Sequence, residues 1–472
     1  MQLYCTAERN PGDGVEGPLY FLVFSRWSLD SVPWDHNKSL TYKRPPTIIK
    51  LEFRIVARGP DCMSYIERAI TQVIKQRAAA SKCLLLTGAR QVGKSTLVNH
   101  VFPDFNKANF DDRMTRLQAR EEPGLFFLNN PRPLFIDEVQ KEGGILEDIK
   151  KIVDGSDSRG EFILSGSGKL ELMKGMSESL AGRVSVMELS ALSLREIKGI
   201  AFNRHFVPSA EYLEQREKEI RPYDDIWDVI HKGSYPELYD VERDWQDYYS
   251  SYVSTYLERD INELISADSL TFMKFMTAVA SRTGEMLNYA NIASEVGTSE
   301  PTIKSWISIL ERTGIVYILQ PYSASALNRA IRAPKIYFRD TGLACYLTRW
   351  LTADVLKNSA VAGNMFETFM VSEILKSYSN EGRDYRFSVF YYRGKDKRSS
   401  SENEIDLVIS EDGILYPVEI KMTANPKAIM GSANQVLDKI TDKKRGLGVI
   451  LCLTEKKTYL RENLIALPIE YI

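Results

Sequence analysis

The stretch that most limits how this chain folds is residues 82–97, Lys-Cys-Leu-Leu-Leu-Thr-Gly-Ala-Arg-Gln-Val-Gly-Lys-Ser-Thr-Leu. Leu84, Leu85 and Leu86 form a short apolar run, the pattern of a buried strand. Gly88, Ala89, Arg90, Gln91, Val92, Gly93, Lys94 and Ser95 then fit G-x-x-x-x-G-K-[ST]. A helical period follows at Leu97, Val98 and Val101. Strand, glycine loop and helix form a cradle for nucleotide phosphates. The glycines let backbone N–H groups turn inward, and the helix start adds partial positive charge. Residues Gly88 to Thr96 are therefore the expected ATP-binding loop. Lys94 is placed to reach the β- and γ-phosphates and Ser95 to ligate Mg²⁺.

A site of this kind needs a second half, and the sequence offers one. In Arg132-Pro-Leu-Phe-Ile-Asp137-Glu138, three apolar residues deliver two carboxylates to the end of a strand. Asp137 is expected to hold Mg²⁺ and Glu138 to polarise the attacking water. A further strand, Phe162 to Leu164, ends in Ser165-Gly-Ser167. Either hydroxyl is placed to sense the γ-phosphate, and Ser167 is taken among the cofactor-binding residues. Arg183 lies before a last strand, Val184 to Leu189. It is a candidate catalytic arginine for a phosphate in this subunit or a neighbour's. Asn106 to Asp112 reads as another strand of the same sheet.

Length and charge bound the rest. At 472 residues the chain is too long for one core, and roughly three domains are expected. Its 61 basic and 63 acidic residues leave no global positive field, so nucleic-acid binding would rest on local patches. The five cysteines (Cys5, Cys62, Cys83, Cys345, Cys452) are scattered, which suits neither a disulfide framework nor a metal site and fits a cytoplasmic location. No apolar run near the start is long enough to span a membrane. Residues 1–62 lack sustained periodicity and contain Pro45-Pro46, so they read as an extension with little fold. Helical spacing begins with Ile66, Ile70, Val73 and Ile74, and Met63 reads as the natural start.

Beyond the core, Tyr248, Tyr249, Tyr252 and Tyr256 form a helical stripe in a packed helical segment. Residues 269–322 then read as a helix around Met273 to Val279, a second from Asn288 to Gly297, a third from Thr302 to Arg312, and a strand from Ile315 to Gln320. That order is a winged helix-turn-helix outline. Its candidate recognition helix offers Lys304, Ser305, Ser308 and Arg312, few cations for DNA phosphates.

The tail holds a second candidate site. Gly363 to Leu375 reads as an amphipathic helix and Phe387 to Arg393 as a strand, with Lys395 to Arg398 and Ser399 to Ser401 as a basic, mobile turn. Glu404-Ile-Asp406-Leu and Val418-Glu419-Ile-Lys421 are strands of one hairpin, with Glu411-Asp-Gly413 at the turn. Asp406 and Glu419 are then neighbours across strands, and Lys421 shares the face of Glu419. Two carboxylates can bind a divalent metal while the lysine orients or deprotonates a water.

With these parts in order, the chain from about Met63 resembles a prokaryotic family of AAA-type ATPases in which a P-loop core carries a C-terminal domain of unknown function. The matching stretches are Gly88 to Ser95, Leu134-Phe-Ile-Asp-Glu-Val-Gln, Ser179-Leu-Ala-Gly-Arg, Tyr256-Leu-Glu-Arg-Asp, Phe338-Arg-Asp-Thr-Gly-Leu, Gly363-Asn-Met-Phe-Glu, and Glu404-Ile-Asp with Val418-Glu-Ile-Lys. The resemblance implies an ATP-binding core, a winged helix and a tail similar to PD-(D/E)XK nucleases. It gives Asp406, Glu419 and Lys421 that motif's positions and makes Glu367 a helix carboxylate of the same metal site. Some nucleases of that fold carry Gln-x-x-x-Tyr on a later helix, whereas here Gln435 is followed by Lys439.

The expected fold is α/β, in five spans: an extension (1–62), a P-loop core with a parallel sheet (63–200), a helical subdomain (201–265), a winged helix-turn-helix (266–345) and a nuclease-like α/β domain (346–472). The expected function is an ATPase whose nucleotide-driven switch controls a region that binds DNA or a protein partner, a second copy of the chain included. The alternative is an ATP-regulated, metal-dependent nuclease.

Overall fold

The computed structural model describes residues 40–44, 47–51, 65–166, 180–223, 226–240, 243–261, 265, 267–323, 333–395, 402–440 and 442–472. The chain divides into two units, Met1–Ser64 and Tyr65–Ile472. In the first, β1 (Leu40–Arg44) and β2 (Thr47–Leu51) pair antiparallel, Leu40 opposite Leu51 and Arg44 opposite Thr47. The stretch expected to carry little fold thus holds at least this hairpin.

The second unit opens on a parallel sheet. Its strands are β3 (Cys83–Thr87), β4 (Asn106–Asn109), β5 (Leu134–Asp137), β6 (Phe162–Gly166) and β7 (Val184–Glu188), in the order β4-β5-β6-β3-β7. Every neighbouring pair is parallel. β3 is buried on both faces, as a central parallel strand should be. Leu84 and Leu86 pack with Ile70, Ile74 and Leu97, while Cys83 and Leu85 pack with Phe110 and Ile149 on the other side. β4 is shorter than expected because Asp112 leaves the sheet to cap the helix Arg113–Glu121, accepting from Thr115 N at 2.7 Å.

The first helix, Thr71–Ala80, starts later than the periodicity predicts. Residues 68 and 69 are held by a distant carboxylate instead. Arg68 Nε and Ala69 N both donate to Glu196 Oε1, at 3.0 and 2.8 Å. Long-range hydrogen bonds have overridden local propensity.

The helical segment comes next, with Tyr248, Tyr249, Tyr252 and Tyr256 all buried. The helix Trp245–Tyr252 continues as a π-helix over Val253–Ile261. Beyond it lie the helices Ser269–Ala280, Tyr289–Val296 and Glu300–Arg312, capped by Asp268, Asn288 and Ser299. They accompany a small antiparallel sheet of β8 (Glu285–Met286), β9 (Val316–Leu319) and β10 (Lys335–Phe338), ordered β8-β10-β9.

The helix Ala362–Asn380 leads into the last sheet. It is buried on nearly every face rather than amphipathic, because it packs on both β10 and the tail sheet. The tail strands are β11 (Val389–Lys395), β12 (Glu402–Glu411), β13 (Ile414–Lys421), β14 (Lys444–Arg445), β15 (Gly448–Cys452), β16 (Thr458–Arg461) and β17 (Leu464–Pro468). Their order is β11-β12-β13-β15-β17-β16, with β14 beside β13. β11 to β13 are antiparallel, and β13, β15 and β17 run parallel. Phe387 lies outside β11, in the short helical turn Tyr385–Phe387, and is exposed. Of the basic turn expected at 395–401, Lys395 ends β11 and the rest lies outside the described residues.

The length of the chain led to an expectation of more than one core, and the described residues form four apolar clusters of very unequal size. The largest joins the core, helical, middle and tail segments, from Leu84 through Tyr248 and Ile303 to Ile465. Cys83, Cys345 and Cys452 are free and buried. No described helix is long and apolar enough to cross a membrane.

Candidate functional site

The phosphate loop leaves the C-terminal end of β3. Gly88 has φ +150°, and a Cβ there would collide with Leu189 O, so only glycine fits the turn. Gly93, at φ +89°, sits in the left-handed region just before the helix Lys94–Val101. The loop is braced by Arg68, which sequence reasoning missed. Its guanidinium donates to Val92 O at 2.9 Å and Ser190 O at 2.7 Å, with Glu196 as counter-charge. The signal was a lone arginine, and its partners lie up to 128 residues away.

Lys94 is buried and donates to Gly88 O at 3.1 Å and Ala89 O at 2.9 Å. Burial lowers its pKa, while Glu138 and Asp137 oppose the shift. Asp137 collects the remaining polar groups. Ser95 Oγ donates to its Oδ2 at 2.5 Å, and Ser165 Oγ donates to its Oδ1. The backbone N–H of Glu138 donates to the same Oδ1 at 3.1 Å. Of the two serines weighed at the end of β6, Ser165 reaches Asp137, and Ser167 lies outside the described residues. Glu138 takes a left-handed conformation (φ 53°, ψ 43°), uncommon for this residue type and typical of functional turns. Its carboxylate accepts from Gln140 Nε2.

Arg183 is elsewhere. Its carbonyl accepts from Cys83 N, at the start of β3, whereas the loop leaves the far end of that strand. At about 3.3 Å per residue that separation is on the order of 13 Å. Its side chain pairs with Asp154, the Nη2 to Oδ2 distance being 3.0 Å. The expectation that Arg183 serves its own subunit's nucleotide is therefore corrected.

The loop tip touches the C-terminal half of the chain. Tyr248 OH donates to Gln91 Oε1 at 2.9 Å. The Arg90 guanidinium lies over the Tyr256 ring, 5.6 Å from its centroid. Gly314 packs on Ala89 so closely that a Cβ there would come within 3.2 Å of the Ala89 Cβ.

In the tail, Asp406 and Glu419 do meet across β12 and β13. Lys421 Nζ lies 2.7 Å from Asp406 Oδ2 and 2.9 Å from Glu419 Oε2. Asp406 Oδ2 also accepts from Ile420 N at 2.8 Å. Burial and the Asp406 charge push the Glu419 carboxyl up to about 8, against the pull of Lys421. Burial and Asp406 likewise raise Glu367. Glu367 accepts from Tyr337 OH at 2.7 Å and from Lys335 Nζ at 3.1 Å, and Lys335 also reaches Glu404 at 2.8 Å. Lys335 and Tyr337, contributed by β10, were not foreseen. Glu367, Asp406 and Glu419 were expected to share a metal ion. Among the described residues no group of three or more His, Cys, Asp or Glu side chains is placed to hold one. Lys335 and Lys421 supply positive charge beside these carboxylates.

Three stretches of the chain match known domain families. Residues 80–198 match the AAA domain, residues 223–354 a domain of unknown function (DUF8612), and residues 362–472 another (DUF4143). An uncharacterized protein of Mycobacterium tuberculosis is 25% identical over 452 residues, covering 93% of this chain and 90% of its own length. Among solved structures, a Walker-type ATPase of Pyrococcus abyssi is 14% identical and covers 60% of this chain and 96% of its own, with a TM-score of 0.39. AMPPCP-bound DnaA from Aquifex aeolicus is 14% identical and covers 51% of this chain and 85% of its own, with a TM-score of 0.20. Residues 80–198, which carry the glycine loop, Asp137 and Ser165, are thus similar to the AAA domain, and the two segments beyond them to domain families of unknown function.

Proposed function

We propose that this chain hydrolyses ATP at the loop of β3 and that nucleotide occupancy sets the state of a C-terminal region that binds DNA or a protein partner. The convergence of Ser95 and Ser165 on Asp137, beside Lys94, carries the first part. Ser95 and Asp137 are the donors that would hold Mg²⁺, which neutralises charge between the β- and γ-phosphates when bound. Lys94 exchanges its two carbonyl acceptors for phosphate oxygens. Loop N–H groups hold the phosphates, Glu138 orients and polarises the attacking water, and Ser165 reports on the γ-phosphate through Asp137. The contacts of Gln91, Arg90 and Ala89 with Tyr248, Tyr256 and Gly314 support the second part, since any shift of the loop is felt there. The helices Tyr289–Val296 and Glu300–Arg312 with β8, β9 and β10 have the order of a winged helix, a module that meets DNA or protein.

The test is ATP turnover. Lys94→Ala should weaken ATP binding, and Glu138→Gln should bind ATP but hydrolyse it slowly. Equal turnover in wild type and Lys94→Ala would end this reading.

A second reading, a metal-dependent nuclease, is favoured by one observation. Glu419 Oε1 is buried without a hydrogen-bond partner beside Asp406 and Lys421. Calorimetric titration with Mn²⁺ in the Lys94→Ala background tests it. Identical heats from that protein and one also carrying Asp406→Ala and Glu419→Ala would remove it.

A further inference from the structure

A cleft of about 660 Å³ opens where the ATPase domain, the helix Glu300–Arg312 and the segment after the helix Ala362–Asn380 meet. Five arginines line it: Arg77, Arg312, Arg339, Arg383 and Arg386. The carboxylates lining it are Glu188, Glu311 and Asp384, so the described wall carries an excess of two positive charges. We infer that this cleft binds a single strand of nucleic acid, its phosphates on the arginines and a base on Phe387. The inference rests on the reading of the C-terminal half as a partner-binding region and names the partner.

The arginines divide by role. Arg339 is committed: it pairs with Glu188 and stacks over Tyr317, tying β7 to the small sheet. Arg77 gives one N–H to Gly382 O at 2.7 Å, and a guanidinium has five. Arg386 forks onto Asp384 through Nε and Nη2, and Arg383 pairs with Glu411 at 3.1 Å and with Glu381 at 3.4 Å, yet their side chains are 65% and 51% exposed and keep further N–H groups. Arg312 ends its helix in solvent. Four guanidiniums from three separate elements therefore present spare donors to one volume. The planar fork of a guanidinium matches phosphate oxygens, and phosphodiesters repeat that acceptor along a chain.

The aromatic next to the cleft selects the class of polyanion. Phe387 directly follows Arg386, at the end of the cleft lining, and is 80% exposed. An apolar ring left in water one residue from a cleft arginine offers a face on which an unpaired base stacks. Tyr385 is not available for this, since its ring packs edge-on against Tyr317. A duplex keeps its bases stacked on each other and gains nothing from Phe387. Arg312 also explains how the helix Glu300–Arg312, whose Lys304 is paired with Glu300, can serve a nucleic acid: the cations it lacks come from the neighbouring segment.

The test uses the full chain and a fluorescently labelled oligothymidylate, read by anisotropy over a range of salt and without ATP. The wild type should bind the single strand more tightly than a duplex of the same length. Arg312→Ala with Arg386→Ala should weaken binding by about tenfold or more and flatten the salt dependence by about 1.4 in log–log slope. Phe387→Ala should weaken it about fivefold or more at every salt concentration. Both proteins should melt with the wild type, because the altered side chains are exposed. Lys94→Ala should bind the strand normally, so a failure of the ATPase reading leaves this result standing and the reverse also holds. Unchanged affinity in the arginine double variant overturns the inference. So does equal affinity for duplex, an effect of the arginines with none from Phe387, or displacement of the strand by equimolar inorganic phosphate.

Discussion

Replacing Asp340 by alanine should destabilise the protein more than any surface substitution, and the structure gives the size. Asp340 is 3% exposed. One oxygen accepts from Ser234 N at 2.6 Å and Ser234 Oγ at 2.9 Å, and the other from Tyr249 OH at 2.6 Å and Leu343 N at 2.7 Å. Alanine strands two backbone N–H groups and a tyrosine hydroxyl in the interior. The Ser234 hydroxyl can turn elsewhere. Each stranded buried donor costs about 1–3 kcal/mol, and relief of carboxylate desolvation returns part of the sum, leaving about 4 kcal/mol. Against a total of about 5–15 kcal/mol that is a large share. For a unit the size of Tyr65–Ile472 the thermal midpoint should fall by about 5 °C, read by calorimetry or circular dichroism. Asp340→Asn should fall between, because its amide oxygen keeps the Tyr249 and Leu343 bonds while its NH₂ faces the Ser234 N–H. A midpoint for Asp340→Ala within about 2 °C of wild type would refute the reasoning.

Glu419 predicts a pH dependence. Its carboxyl lies at about 8 in the fold against an ordinary 4.5, so the folded chain binds the extra proton between those values. The stability it contributes is complete below about 4.5 and is lost as pH rises through about 8, to an upper limit of about 5 kcal/mol. Glu419→Gln should therefore gain stability relative to wild type as pH climbs through that window in urea unfolding, and parallel curves would discount the shift. For Arg183, the remaining role is toward a neighbouring subunit. In that case Arg183→Ala mixed with Glu138→Gln recovers turnover that neither protein has alone, and a wild-type rate in Arg183→Ala leaves only the surface pair with Asp154.

The sequence was legible where its signals are local. A strand of leucines, two glycines at fixed spacing and a helical period fix residues 83–101, because each of those signals acts within a few residues. The caps at Asp268, Asn288 and Ser299 bound their helices for the same reason. The choice between Ser165 and Ser167 was not legible, since both are hydroxyls leaving one strand and only the register of β6 beside β5 brings one to Asp137. Lys335 was invisible for a different reason. In sequence it is a lysine before three apolar residues, and it reaches Glu367 and Glu404 only once β10 lies against the tail. Arg183 misled because nearness in sequence to a sheet strand does not say which end of the sheet it occupies.

The distribution of the core bears on the proposed switch. Apolar periodicity says that a face is buried, not against which partner, so it could not show which segments share a core. The structure merges the ATPase domain and the segments C-terminal to it on one side of the parallel sheet: Leu84 and Leu86 share a cluster with Tyr248, Ile303 and Ile465, while Cys83 and Leu85 close a smaller cluster with the domain's own helices. Close-packed interiors transmit displacement rather than absorb it. A change at Gly88 to Gly93 therefore has a packed route into the Tyr248 helix and Gly314 through the same side of β3. Asp340 lies on that route as well. It binds Ser234, whose carbonyl accepts from Leu192 N at 2.9 Å just beyond β7, and it starts the helix Thr341–Leu347. The loop is gripped by the C-terminal half through Tyr248, Tyr256 and Gly314, so under the proposed ATPase reading it cannot move alone. That mechanical constraint is the physical basis for proposing that the two halves of the chain serve one function.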